Sequence, residues 1–312
     1  MAQPTNTYDS YDMNGIREDL ANIIYMISPE DTPFFSKTRK TKATNTLHEW
    51  QTDSLRASAA NAKLEGGTVT ASARTPTTRL GNYTQIVNDA ATISGTDEGL
   101  NKAGRGREMA REVFKLGKEL RLDIEKALFA NNARASGNSA TAREMAGIPA
   151  WLTTNTQSGA GGADPTGDGT DARTDGTQVA LTQAMVNTAL QSNWQSGGKA
   201  DVIYAGAVNV DAIAGFTGSN NQRNTIDKRE ISYAVDVYMT SFGTVEIIPS
   251  RESRARDMFV LQSDMWSIPV LRSFKTKDLP AAGDFESKMV LTELTLSCHN
   301  EAANSGVFDL TV

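Results

Sequence analysis

The chain is poor in the residues from which catalytic and metal sites are usually built. Its 312 residues include one cysteine, Cys298, and two histidines, His48 and His299. A lone cysteine excludes an intrachain disulfide and any cysteine-based zinc cluster. His299 adjoins Cys298 on a predicted strand, where neighbouring side chains point to opposite faces, so the two are not placed as a nucleophile–base dyad. Long apolar runs are missing too. None approaches the roughly 18 residues needed to cross a bilayer, and the polar, acidic start at 1–12 lacks the apolar core of a signal peptide. These features predict a soluble chain made in the cytoplasm, with no membrane partner. A basic excess is also absent. A net charge of −6 and an isoelectric point near 5.1 argue against a dedicated nucleic-acid binder, but not against a container that encloses DNA.

Motifs of binding chemistry fail in the same way. The glycines over 95–106 suggest a phosphate loop, but Gly104-Arg105-Gly106 is followed by Arg-Glu-Met, so neither GxGxxG nor GxxxxGK[ST] is met. Asp164, Asp168, Asp171 and Asp175 crowd one segment without the spacing of an EF-hand, and a solvated loop is the expectation. Asn82-Tyr83-Thr84 has the form of a glycosylation acceptor, which means nothing without a secretory route. Cys298 reads as a small buried residue. No catalytic residue, cofactor or metal is predicted.

What the chain does have is a segmented, extended plan. A hydrophobic share of 39% and a charged share of 22% suffice to bury a core, while aromatics are sparse at 7%, as in something flat or extended. Residues 1–45 read as an arm. Ile16, Leu20, Ile23, Ile24 and Ile27 share one helical face, and the helix stops before Pro29. An extended stretch, Asp31-Thr32-Pro33-Phe34-Phe35, then carries two exposed-looking aromatics. The basic run Lys37, Arg39, Lys40 and Lys42 is either a solvated face or a contact with a neighbour or enclosed DNA. Residues 46–94 read as a long β-hairpin. Leu47, Trp50 and Leu55 stand at one end of its base and Leu80, Tyr83, Ile86 and Val87 at the other. Only Leu64 and Val69 are large and apolar between Arg56 and Arg79, and Gly66-Gly67 allows a turn. An isolated hairpin is marginal in water, so this one is either mobile or lies on another subunit.

A helix over about 106–132 follows. Met109, Val113, Leu116, Leu120, Ile124 and Leu128 form one stripe, supported by the pairs Glu108/Arg111, Glu112/Lys115, Lys115/Glu119 and Arg121/Glu125. At ~1.5 Å per residue it would reach roughly 40 Å, a spine laid across a sheet. Residues 145–153 look like a strand or hairpin entry, and 158–176 like a flexible Gly/Asp-rich surface loop. A second unit spans 177–263. It has helical patterns at 179–194 and 208–216, strands at 200–205, 244–248 and 258–262, and a charged turn at 251–257. In 264–312 two long strands return, 266–274 and 288–299, with Val290, Leu294, Leu296 and Cys298 on one face of the second. The alternation is that of an α+β fold.

Two stretches carry a family resemblance: Pro29-Glu30-Asp31-Thr32-Pro33-Phe34, and the strand Leu47-His48-Glu49-Trp50-Gln51-Thr52-Asp53. With the C-terminal SKMVLTELTLSCHNEAANSGVFDL they are similar to tailed-phage major capsid (major head) proteins of the Hong Kong 97-type fold, and the order of segments over most of the chain is similar too. The resemblance implies an N-terminal arm (1–45), an extended loop (46–94), a peripheral domain with the spine helix (95–176) and an axial domain (177–263). Residues 264–312 then return to the peripheral domain, with an axial C-terminal end as the alternative. It implies a subunit that self-assembles into hexamers and pentamers of an icosahedral or prolate shell around double-stranded DNA, a virion component and not an enzyme. A separate scaffolding protein, a portal and a decoration protein are the implied partners, since the match starts a short arm from Met1 and leaves no room for a scaffolding extension. Lys63 is the only lysine of the predicted hairpin, but nothing identifies an asparagine for it to cross-link. The expected inter-subunit contacts are Phe34, Phe35, Trp50, Lys63, Leu64, Val69, Arg251, Arg254 and Arg256. Rival readings are a decoration or scaffolding protein, a hydrolase, and a nucleic-acid-binding module.

Overall fold

A computed structural model describes residues 31–68, 71, 73–102, 106–216 and 237–311. The arm helix expected at 16–27 and the candidate contact Val69 lie outside them. In the first half run α1 (Pro33–Lys37), β1 (Arg39–Lys42), β2 (Leu47–Thr52), β3 (Thr78–Tyr83), β4 (Gln85–Ser94), α2 (Gly95–Gly99), α3 (Glu108–Phe129) and β5 (Thr156–Gln157). Then come α4 (Gln183–Gln195), β6 (Val202–Ala205), α5 (Ala207–Ala214), β7 (Val237–Thr240), β8 (Gly243–Pro249) and β9 (Met258–Leu261). The chain closes with β10 (Trp266–Leu279), β11 (Phe285–Leu294), β12 (Ser297–Cys298) and β13 (Ser305–Val307).

The strands form two main sheets and one short ribbon. The first has the order β1-β10-β11-β4, with β12 also on β10; the second runs β5-β13-β9-β6-β8-β7; the ribbon is β2-β3. Helix α3 lies on the first sheet. Its residues Met109, Leu116, Leu120, Ile124 and Leu128 are buried, as the stripe required. Mid-helix, Leu116 and Leu120 meet Val290 of β11. At its C-terminal end, Ile124, Leu128 and Phe129 enter a core shared by both sheets, with Trp151, Tyr204, Phe259, Trp266, Leu294 and Phe308. With 22 residues it spans about 33 Å. Three of the four expected ion pairs form: Glu108–Arg111 at 2.9 Å, Glu112–Lys115 at 3.5 Å and Lys115–Glu119 at 3.8 Å. The fourth does not, because Glu125 turns inward. Helices α4 and α5 cover the second sheet through Val186, Leu190 and Ile213.

Several expectations are corrected. The stretch at 31–35 is not extended: Pro33 opens a short helix, where its missing N–H costs nothing. The predicted hairpin is a ribbon only at its base, in the register Leu47↔Tyr83 to Thr52↔Thr78. Residues 85–94 leave it to pair with β11 along Phe285↔Ser94 to Leu294↔Gln85. Residues 145–152 are buried and carry a 3-10 turn at Ile148–Ala150 instead of a strand. The Gly/Asp-rich segment is anchored, with Gly159, Pro165, Gly167, Gly169 and Arg173 buried. No correction applies to the C-terminal end, which joins the second sheet, built mainly from strands of 177–263, where β13 pairs with β9 and β5.

Candidate assembly surfaces

The root of the arm is built into the subunit's own core. Phe34 is 2% exposed, with ring centroids 5.5 Å from Phe129, 5.5 Å from Tyr204 and 6.2 Å from Trp266. Its expected role as an exposed anchor is therefore corrected: it has no surface left to offer. Glu125 holds the turn from below. Its Oε1 accepts from the Phe34 N–H at 2.8 Å and its Oε2 from the Phe35 N–H at 2.7 Å, satisfying donors that a helix start leaves open. Burial pushes the Glu125 carboxyl up to about 7, against the opposing pull of the two N–H bonds and of Lys40. Phe35 sits nearer the surface, 6.5 Å from Phe274 and with the Lys40 ammonium 4.3 Å from its ring centre.

Trp50 is likewise committed within the chain. Half-buried, it lies 5.3 Å from Trp151, 5.9 Å from His48 and 6.5 Å from His299. The chain's two histidines thus flank one tryptophan where the ribbon meets the first sheet, and burial lowers the pKa of both. The His299 Nε2 sits 3.0 Å from the Ser267 Oγ, while Cys298 is buried and its thiol is pushed up by burial. Asn82 of the apparent glycosylation motif is fully buried and clasps this seam. Its amide donates to the Leu296 carbonyl at 2.9 Å and accepts from the Ala146 N–H at 2.9 Å.

Between Thr52 and Thr78 the described residues of the loop are all exposed. Its described residues form no strand, and Leu55 and Leu64 are 98% and 87% exposed. The expected turn is present: Gly66 takes φ 74°, a left-handed conformation that suits glycine, and the Gly67 N–H donates to the Leu64 carbonyl at 3.1 Å. Lys63 and Leu64 are therefore presented at an apex.

The charged turn behaves differently from expectation. Arg254 pairs with Asp257 at 3.0 Å and with Asp175 at 2.5 Å; Arg256 reaches Asp309 at 2.6 Å and Asp175 at 3.1 Å. Asp309, buried and at φ 60°, also accepts from the N–H groups of Gly159 and Gly176. Arg173 lies 3.6 Å from the Phe308 ring centre and binds Asp164. Burial raises Asp257 to about 7. Arg254 and Arg256 thus fasten the 158–176 segment to the C-terminus, and only Arg251 is exposed as a contact residue should be. Asp164 pairs with Arg173 and Asp175 with Arg254, while Asp168 and Asp171 both accept from the Thr166 hydroxyl; among the described residues no group of three or more His, Cys, Asp or Glu converges as a metal site.

Missed at the sequence level were Glu125, Arg173, Asp309 and Glu293. The last is a buried carboxylate held by Arg143 at 2.6 Å and Arg272 at 2.7 Å. Their only local signal is an ionisable residue set beside apolar neighbours, as Glu125 is beside Ile124.

Two sheets sharing a core, a spine helix and an exposed loop define a capsid subunit of the Hong Kong 97-type fold. The cyanophage A-1(L) capsid asymmetric unit superposes with a TM-score of 0.67 at 13% identity, covering 99% of this chain and 100% of that one. The capsid of a native GTA particle does so with a TM-score of 0.63 at 9% identity, covering 97% and 98%. The SU10 major capsid protein family model matches residues 3–311, and the chain belongs to that family. It is 29% identical to the major capsid protein of Escherichia phage Phieco32, over 99% of this chain and 98% of the relative. Its role is structural: it forms the head shell of a tailed phage and is a component of the virion.

Proposed function

We propose that the shell is built from pentamers and hexamers in which residues 53–77 of each copy lie across a neighbour. The observation that carries this reading is the loop itself, which exposes Leu55 and Leu64 and has no described strand partner. A ribbon with so little of its own to bury is completed by another surface. Each subunit meets several neighbours, so modest contacts multiply through effective concentration. Exposed partners such as Arg251 add little singly, about 0–1 kcal/mol. Packaged double-stranded DNA is met non-specifically, in keeping with a net charge of −6. A scaffolding protein, a portal and a decoration protein are the further partners that the family resemblance implies.

Deletion of 61–69 tests the reading. The expected product is a folded chain that forms no closed shells in electron micrographs; normal particles would refute it.

A further inference from the structure

We propose that Leu64 at the loop apex of one copy seats in the cavity between the start of α3 and the first sheet of the next copy. The proposal rests on the inter-copy reading of the loop and names the surface that receives it. Among the described residues Leu64 is left 87% exposed, and it is flanked by Lys63 and Glu65.

The receiving cavity measures about 190 Å³. An apolar cavity of roughly 150 Å³ holds a benzene ring, so one leucine side chain fits. Its floor is formed by the buried Met109 and the half-buried Val113, the first turns of the α3 stripe before Leu116 meets Val290. Its rim is built of both signs, with Glu98 and Glu286 against Arg107 and Lys288. The rim is preformed: Glu98 accepts from the backbone N–H groups of Glu108 and Met109 at 3.0 and 3.3 Å and pairs with Arg107 at 3.1 Å. Lys288 pairs with Glu286 at 3.0 Å. A tip that reads Lys-Leu-Glu matches such a rim, with the leucine supplying buried area and the two charges supplying register.

Other depressions fit less well. The crevice beside Trp194 and Phe242 leaves about 10 Å³. The basin at Lys126, Arg251 and Glu252 is walled by charge. The groove along Asp53, Leu55 and Arg74 belongs to the loop's own limbs.

Disulfide trapping in assembled shells tests the proposal. The native thiol, Cys298, is buried and ionises poorly, so engineered cysteines report alone. Leu64→Cys combined with Ala110→Cys, a residue of the cavity lining, should give ladders of covalent multimers under oxidised glutathione, absent from either single variant. Shells without ladders would overturn the proposal. Should the double-cysteine chain not assemble, a mutant cycle decides. Leu64→Ala and Ala110→Trp should each raise the subunit concentration needed for closure by at least about tenfold, and together no further; additive effects would overturn it. The loop deletion separates the two readings. If deletion blocks closure while ladders are absent, only this docking site falls; if deletion is harmless, both readings fall.

Discussion

Replacing Glu125 by glutamine removes a charge from beneath the arm while keeping the volume of the side chain. In the parent protein both carboxylate oxygens accept backbone N–H groups, at 2.8 and 2.7 Å, which favours ionisation. Burial at 0% exposure opposes it and prevails, lifting the group from the usual 4.5 to about 7. The folded chain therefore holds this proton more tightly than the unfolded one. Stability from this group is fullest below about pH 4.5 and is lost as the pH rises through 7. A shift of that size corresponds to about 3 kcal/mol. Glutamine does not titrate, but it leaves one N–H facing an amide donor, at a cost of about 1–3 kcal/mol. The variant should thus be the less stable chain near pH 4.5 and should gain about 3 kcal/mol on the parent by pH 8. Urea unfolding of dissociated subunits, followed by tryptophan emission from pH 4.5 to 8, measures the difference; Trp266 lies 6.2 Å from Phe34. Asp257, raised to about 7 as well, is present in both chains and cancels. A stability difference that does not vary with pH would refute the buried-carboxylate account.

Phe34→Ala should cost roughly 3–5 kcal/mol, as for other buried aromatics, and Phe35→Ala clearly less, both read as shifts in melting temperature. Arg256→Ala leaves the buried Asp309 carboxylate without its cation and should cost about 3 kcal/mol. Limited proteolysis should then cut within 158–176, and an uncut segment would contradict the anchoring described here. Gly159→Ala should abolish soluble protein, because a Cβ there would lie 1.8 Å from the Thr177 carbonyl oxygen. Gly117→Ala, with nothing within 4 Å, should stabilise α3 by about 1 kcal/mol in urea titrations.

The α3 stripe, the paired base at Leu47–Thr52 and Thr78–Tyr83, and the turn at Gly66 were legible in the sequence because their periods and turn chemistry are local. The order of such elements also carried the family resemblance. Other features were decided only by tertiary structure, since no short window contains them. The five residues Pro33–Lys37 are too few to show a helical period, and the burial of Phe34 depends on Glu125, Phe129, Tyr204 and Trp266, some ninety or more positions later. From 290 to 298 every residue is buried, so alternation there does not reveal what covers each face. The Gly/Asp-rich segment has the composition of a flexible loop, yet Arg254, Arg256 and Asp309 hold it from far along the chain. Ion pairs and side-chain clasps that join residues so far apart form only when the sheets have brought those residues together, and local spacing carries no record of that meeting.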